Sequence, residues 1–122
     1  FDALDLDNLI EDLEDLGSEK KFRVASLLEQ IIRHFLLLQF WQDERTYNPS
    51  HWRSEIVNFK NQIDNYLNTN LRNYLTQELP RIYQKALNYV REKTDNQVRF
   101  PGECPYSLEN LFALDWFPPE NE

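Results

Sequence analysis

Hydrophobic and polar positions alternate at the three- and four-residue spacing of α-helices along most of the chain, from Leu6 to Val90. The clearest stretch is Val24–Trp41, VASLLEQIIRHFLLLQFW. Its first half has one apolar side, whereas from Phe35 onward apolar residues occupy nearly every direction. A helix that is apolar all round is surrounded by protein. The pattern therefore predicts an all-α, antiparallel bundle of about four main helices, with Val24–Trp41 at its centre.

Gln39 is the polar exception at the apolar end of the central helix. An unpaired amide in such surroundings costs about 1–3 kcal/mol. We therefore predict that Gln39 is buried and that its amide is hydrogen-bonded.

A short helix is predicted before the central one, over Leu4–Leu16. Apolar residues recur there at intervals of three and four, with acidic residues between them. Gly17 is a typical residue at the end of a helix, and Ser18 can cap a following one. The sequence therefore predicts two separate helices that meet at Gly17.

A second long helix is predicted to begin at Asn48-Pro49, an N-cap residue followed by proline at the first helical position. Apolar residues from Trp52 to Tyr66 form a seam that faces one neighbour. Lys60 lies among the polar positions, and we expect its side chain in solvent.

A third apolar stripe runs from Leu71 to Val90 and contains Pro80. Proline has no N–H to donate to the carbonyl of Thr76 and disfavours helical geometry in the residue before it. We expect a break or a sharp kink there.

Beyond Thr94 the chain becomes rich in aromatic residues and proline, from Phe100 to Phe117, with one short helix predicted after Ser107. This tail is too apolar for a free linker. We predict that it packs on the bundle as part of the core, with Trp116 as an anchor.

Length and composition limit the class of protein. A chain of 122 residues fits a single helical domain over residues 1–122, and the absence of methionine predicts that residues preceded Phe1. One cysteine, Cys104, excludes an internal disulfide and favours the cytoplasm. The apolar run Phe35–Phe40 is far shorter than the roughly 20 residues of a membrane span. Only two glycines are present, which excludes a glycine-rich phosphate loop.

The formal charge of −8 is concentrated at the start of the chain. Eight acidic residues lie between Asp2 and Glu19, before the first basic residue, and the other 13 acidic and 13 basic residues cancel. Such an uneven distribution steers partners of opposite charge. Among these acids and the nearby aromatic residues, the predicted binding residues are Asp7, Glu11, Glu14, Asp15, Trp41 and Trp52. The alternative is that the acidic residues only increase solubility.

The same residues could carry other chemistry. Carboxylates one turn apart can hold a hard cation, but no ligand loop accompanies the acidic helix, so a solvated acidic face is the preferred interpretation. His34 and His51 are too few for a zinc site with Cys104. The rigid, acidic surroundings of Cys104 would raise the pKa of its thiol and so predict an unreactive cysteine. Tryptophans could stack on bases, yet no basic patch accompanies them. We expect no metal, no cofactor and no direct contact with nucleic acid.

Four segments together resemble a known family: Leu4–Gly17 (LDLDNLIEDLEDLG), Phe40–Glu44 (FWQDE), His51–Ile56 (HWRSEI) and Phe100–Leu111 (FPGECPYSLENL). They resemble a bacterial family catalogued as domain of unknown function 29. The resemblance implies a small all-α protein with a further N-terminal stretch and no established activity. The family pattern has a histidine one turn before the tryptophan that matches Trp41, but Leu37 stands there in this chain. A shared histidine-based chemistry is therefore not predicted.

Three functions remain as hypotheses. The first is a non-catalytic protein-interaction or regulatory module, which binds another protein or a second copy through its acidic face or its aromatic tail. The second is an acidic inhibitor or antitoxin-like protein that covers the basic groove of a nucleic-acid enzyme. The third is an enzyme that uses Glu11, Glu14 and His34. A deep site that joins those three side chains would favour catalysis, and an open surface would favour binding.

Overall fold

The computed structural model describes the backbone of residues 3–43 and 48–119, and the side chains of residues 17–43 and 48–119. These residues form helices and connecting loops, with no β-strand among them. The helices are α1 (Ala3–Phe40), α2 (Pro49–Asp64), α3 (Thr69–Lys93) and the short α4 (Leu108–Phe112). The predicted all-α class with about four helices is confirmed, and three of the four described helices are long.

Helix α2 runs antiparallel to α1. Trp52, near the start of α2, stacks on Trp41 at the end of α1, with 6.0 Å between ring centroids. Tyr66, just after α2, lies near the earlier part of α1, where its ring is 5.9 Å from the Arg23 guanidinium.

Helix α3 runs in the same direction as α1 and antiparallel to α2. Tyr74, near the start of α3, has its ring 5.4 Å from the Lys21 ammonium. Tyr89, near the end of α3, lies 3.9 Å from the Arg33 guanidinium. Helix α1 therefore has one long neighbour on each side.

Helix α1 continues through Gly17, so the predicted break there is wrong. Gly17 has no positive φ and so does not adopt the left-handed conformation of a helix-ending glycine. Leu13 and Val24 are eleven residues apart, which is close to three helical turns. One uninterrupted helix therefore keeps the apolar positions before and after Gly17 on the same side.

We expect Gly17→Ala to raise the free energy of unfolding by about 0.5–1 kcal/mol, because glycine in a helix is less favourable than alanine by that amount. A Cβ at Gly17 would meet nothing within 4 Å, so the substitution costs no packing. Urea unfolding measures the change. Ser26→Ala, at an exposed position of the same helix, should give a smaller gain. A loss of stability in Gly17→Ala would show that this position needs a glycine backbone.

Helix α3 also continues through its proline, and the predicted break at Pro80 is wrong. Pro80 is on the exposed side of α3. The opposite side buries Leu71, Leu75 and Ile82, whose packing offsets the roughly 3 kcal/mol that an internal proline costs.

The apolar end of α1 lies in the centre of the core, as predicted. Phe35–Leu38 are all buried. Gln39 is half-buried, and its Oε1 accepts a hydrogen bond of 2.8 Å from the Tyr106 hydroxyl. The predicted hydrogen bond is confirmed, whereas the burial of Gln39 is incomplete.

The C-terminal tail is part of the core, which confirms the prediction. Phe100, Tyr106 and Leu111 are buried. The Tyr106 ring lies 5.1 Å from the Phe35 ring in an edge-to-face arrangement. Trp116 is half-buried, with its ring 5.5 Å from Phe35. The side chain of Ser107 caps α4 by accepting a hydrogen bond from the Asn110 N–H.

Lys60 is fully buried, so the expectation that its side chain lies in solvent is wrong. Its ammonium donates hydrogen bonds to the carbonyl oxygens of Ala113 and Trp116 in the tail. The rings of Phe35 and Phe117 lie 4.9 and 5.2 Å from the same nitrogen. The tail, more than fifty positions later in the chain, therefore covers Lys60, although this position of α2 looks polar in the sequence.

Candidate functional site

An open groove of about 1030 Å³ lies beside the middle of α1. It follows α1 from Ser18 to Gln30, and Tyr66 forms its other side. The lining residues are Ser18, Glu19, Lys20, Phe22, Arg23, Ser26, Leu27, Gln30 and Tyr66. We refer to it as the Phe22 groove.

Phe22 is the most exposed large apolar residue of the described part of the chain, with 76% of its surface accessible. It lies on the side of α1 that faces away from the core, between the exposed Lys21 and Arg23. Leu27 and the half-buried Tyr66 line the same groove. Phe22 is thus part of an apolar lining rather than an isolated surface residue.

The charged residues of the Phe22 groove are mainly basic. Lys20 and Arg23 contribute two positive charges and Glu19 one negative charge. The Arg23 guanidinium also contacts the face of the Tyr66 ring. A groove with an apolar lining and excess positive charge fits an apolar segment that carries acidic residues.

The structure brings together two of the predicted binding residues, Trp41 and Trp52. Their rings are nearly parallel, at 20°. Trp52 is buried, with 7% of its surface exposed, and Trp41 is half-buried. This pair closes the end of the bundle between α1 and α2, and only Trp41 offers much surface for a partner.

The other predicted binding residues, Asp7, Glu11, Glu14 and Asp15, lie on the first half of α1. Their side chains are outside the described residues. Their positions along the helix still test whether Glu11 and Glu14 can form one site with His34. His34 is twenty residues beyond Glu14 on the same uninterrupted helix, which separates them by about 30 Å. Glu11, Glu14 and His34 of one chain therefore do not form one site.

His34 is half-buried between α1 and α2. Its Nδ1 is 2.7 Å from the Gln30 carbonyl oxygen, and because a carbonyl only accepts, Nδ1 carries the proton. Its ring packs against Phe59 at 5.3 Å. Burial lowers the pKa of His34, and the nearby Glu55 opposes that change. These contacts give His34 a packing role between α1 and α2.

Cys104 is a half-buried thiol. Its Sγ lies 3.6 Å from the Tyr106 carbonyl oxygen. Burial raises the pKa of Cys104 above its usual value, which keeps the thiol protonated. The direction of the pKa shift is the one predicted, but burial rather than acidic neighbours is its main cause. Within the residues whose side chains are described, no three histidine, cysteine or acidic residues group as metal ligands.

Phe22 and Tyr66 were not among the residues predicted to bind. Phe22 gave a signal in the sequence, since it is an aromatic residue among the charged and polar positions of an amphipathic helix. Tyr66 gave none, because the spacing of α2 places it in the apolar seam. Its position at the groove depends on where α2 ends.

Comparisons with known proteins give one match. The sequence matches the family described as "Domain of unknown function DUF29" over residues 1–117. No curated protein and no solved structure matches the chain. Among the described helices, none combines the length and the apolar character that crossing a membrane requires.

Proposed function

The chain belongs to the DUF29 family, whose function is unknown, and we propose that it is a non-catalytic protein-interaction or regulatory module. The single observation that carries this proposal is the exposure of Phe22 at the Phe22 groove. A large, exposed apolar residue that lines a groove marks an interaction site, because covering it removes apolar surface from water.

The arrangement of charges supports the same function. Lys20 and Arg23 place positive charge at the edges of the groove, where it can steer an acidic partner and fix its orientation. Because His34 is far from Glu11 and Glu14 along α1, an enzyme that uses these three side chains in one site is not supported. As part of this proposal we place the protein in the bacterial cytoplasm, which the lone unpaired Cys104 supports.

The inhibitor or antitoxin-like hypothesis is a narrower form of the same function, and the continuity of α1 favours it. Glu11 and Lys20 are nine residues apart on one helix, a rise of about 13 Å, so this acid cannot pair with that cation within the chain. In this narrower form of the proposal, the acidic residues before Gly17 bind a basic partner. Asp7→Asn, Glu11→Gln and Glu14→Gln together should slow association with such a partner and reduce its salt dependence.

Photo-crosslinking in the native cell tests the proposal. Benzoylphenylalanine at position 22 should crosslink a protein, because the side chain lies in the docking surface. The same residue in place of Leu114, which is 49% exposed in the tail, is the matched control and should give no such product. Equal products at both positions, or none at position 22, would contradict docking at the Phe22 groove.

A further inference from the structure

We infer that a cavity at the end of α3 binds a small molecule that carries a phosphate monoester group, and that Arg91 and Arg99 hold the phosphate. The cavity has a volume of about 380 Å³ and is lined by Arg91, Asn96, Gln97, Val98, Arg99 and Phe100. It shares no lining residue with the Phe22 groove. This inference is therefore independent of the protein-interaction proposal.

Arg91 and Arg99 differ from the other arginines whose side chains are described, because neither has a described carboxylate or aromatic ring in contact with its guanidinium. Arg33 and Arg81 form ion pairs with glutamates of their own helices. The remaining three lie over aromatic rings: Arg23, Arg53 and Arg72. Two guanidiniums that line one cavity in this way leave their N–H donors free for an anion, in a chain whose formal charge is −8.

The charge of the cavity fits a dianion. Its described lining contains two positive charges and no acidic side chain, although the exposed Glu92 and Asp95 lie close by in the sequence. Each guanidinium can present two parallel N–H groups to phosphate oxygens. A phosphate monoester carries about two negative charges above pH 7, whereas a carboxylate carries one. Phosphate is therefore the anion that best matches two arginines.

Asn96 and Gln97 add carboxamide donors to the same cavity. Their main-chain N–H groups are already used, since that of Asn96 donates to the Arg91 carbonyl oxygen at 2.8 Å and that of Gln97 to the Thr94 carbonyl oxygen at 3.0 Å. In a glycine-rich phosphate loop the main-chain N–H groups bind the phosphate. Here the side chains would bind it, which explains why the sequence shows no such loop.

The loop that carries Arg99 is fixed at both ends. At its start, Thr94 is buried and its hydroxyl donates a hydrogen bond of 2.8 Å to the Val90 carbonyl oxygen. At its end, Phe100 is buried, with its ring 6.0 Å from the Phe40 ring. The cavity is thus formed without a ligand, and binding needs little additional ordering of the chain.

Arg91 by itself has a simpler explanation. It lies in the last turn of α3, where a basic side chain stabilises the negative end of the helix dipole. Lys93 supplies the same charge in the same turn. Arg99 lies beyond the end of α3 and yet lines the same cavity. The helix dipole therefore does not account for the meeting of both arginines, whereas an anionic ligand does.

Titration of the full chain with methyl phosphate at pH 7.5 and constant ionic strength, followed by proton–nitrogen NMR, tests the inference. We expect saturable shifts of the Asn96, Gln97 and Arg99 signals, with a Kd of about 1 mM or lower. Acetate should bind about tenfold more weakly, because it carries one charge. Shifts that do not saturate would identify an adventitious ion only. That result, or equal binding of acetate, would overturn the inference.

The variant Arg91→Gln with Arg99→Gln should bind methyl phosphate at least about tenfold more weakly than the wild type. Both side chains are exposed, so we expect the fold to remain intact. Arg81→Gln with Lys85→Gln is the matched control, because it removes the same charge from exposed positions of α3 outside the cavity. If the control weakens binding as much, the attraction comes from net charge alone and the inference fails.

A lipid headgroup can also carry a phosphate monoester. Co-sedimentation with phosphatidylcholine vesicles that contain phosphatidic acid distinguishes this source from a small molecule. We expect no more binding than to phosphatidylcholine alone, because the apolar lining residues, Val98 and Phe100, are half-buried and buried and cannot insert into a bilayer. Vesicle binding that the double Arg91→Gln, Arg99→Gln variant loses would overturn the assignment to a small molecule.

Discussion

A chain that ends at Arg99 is expected to lose most of its stability and to unfold without a sharp thermal transition. The deletion removes the large buried side chains of Phe100, Tyr106 and Leu111. Each contributes about 1.5–3 kcal/mol through burial, so together they approach the 5–15 kcal/mol that separates folded from unfolded domains. The deletion also removes the acceptors of the Lys60 ammonium and uncovers part of Phe35. Circular dichroism during heating measures the loss.

A smaller change keeps the test informative if the shortened chain does not fold. Tyr106→Ala should lower the free energy of unfolding by about 3–5 kcal/mol, the usual result of removing a large buried side chain. It also leaves Gln39 Oε1 without its donor. Leu114→Ser, at an exposed tail position, should change stability by less than about 0.5 kcal/mol. A chain without its tail that keeps the full melting temperature would show that the tail only lies on the surface.

The second large effect is the dependence of the free energy of unfolding on pH that the buried Lys60 introduces. Burial lowers the pKa of Lys60 from 10.5 to about 8, and Asp115 opposes this shift. Between pH 8 and 10.5 the unfolded chain therefore holds a proton on Lys60 that the folded chain has lost. Stability rises with pH wherever the unfolded state binds more protons, so the Lys60 contribution to stability increases across this range.

We expect the difference in unfolding free energy between the wild type and Lys60→Met to shift by about 2 kcal/mol in favour of the wild type from pH 7 to pH 9.5. Urea unfolding at a series of pH values measures it. The comparison of the wild type with Lys60→Met is needed because other groups also change stability with pH. Burial raises the pKa of Cys104 and of Tyr106, and raises that of Tyr83 to about 12. These groups lower stability at alkaline pH, but they are present in both proteins and cancel.

Lys85→Met supplies the control for this pH dependence, since Lys85 is exposed on α3. Its difference from the wild type should stay constant from pH 7 to pH 9.5. If Lys60→Met behaves in the same way, the Lys60 ammonium keeps its ordinary pKa in the folded protein, and its two hydrogen bonds to the tail compensate fully for the loss of water.

Only some residues of the candidate site could be identified from the sequence. The acidic residues and the two tryptophans were identified because charge and aromatic content are visible in the sequence. Phe22 was missed, because one aromatic residue on a polar helix side is not unusual in a sequence. Only the position of Tyr66 across from α1 shows that Phe22 lines a groove.

The sequence by itself determined the helical class, the central position of Phe35–Leu38 and the caps at Asn48 and Ser107, because spacing and capping are local properties. Tertiary structure decided the rest. Gly17 and Pro80 are weak points that local preference would break, yet α1 and α3 continue through them. At Pro80, burial of Leu75 and Ile82 on the other side of α3 offsets the local cost. Lys60 looks like a surface residue until the tail, more than fifty residues later, covers it and supplies two carbonyl oxygens. Such outcomes depend on contacts between distant segments, whose energies of several kcal/mol exceed the local preferences that a sequence displays.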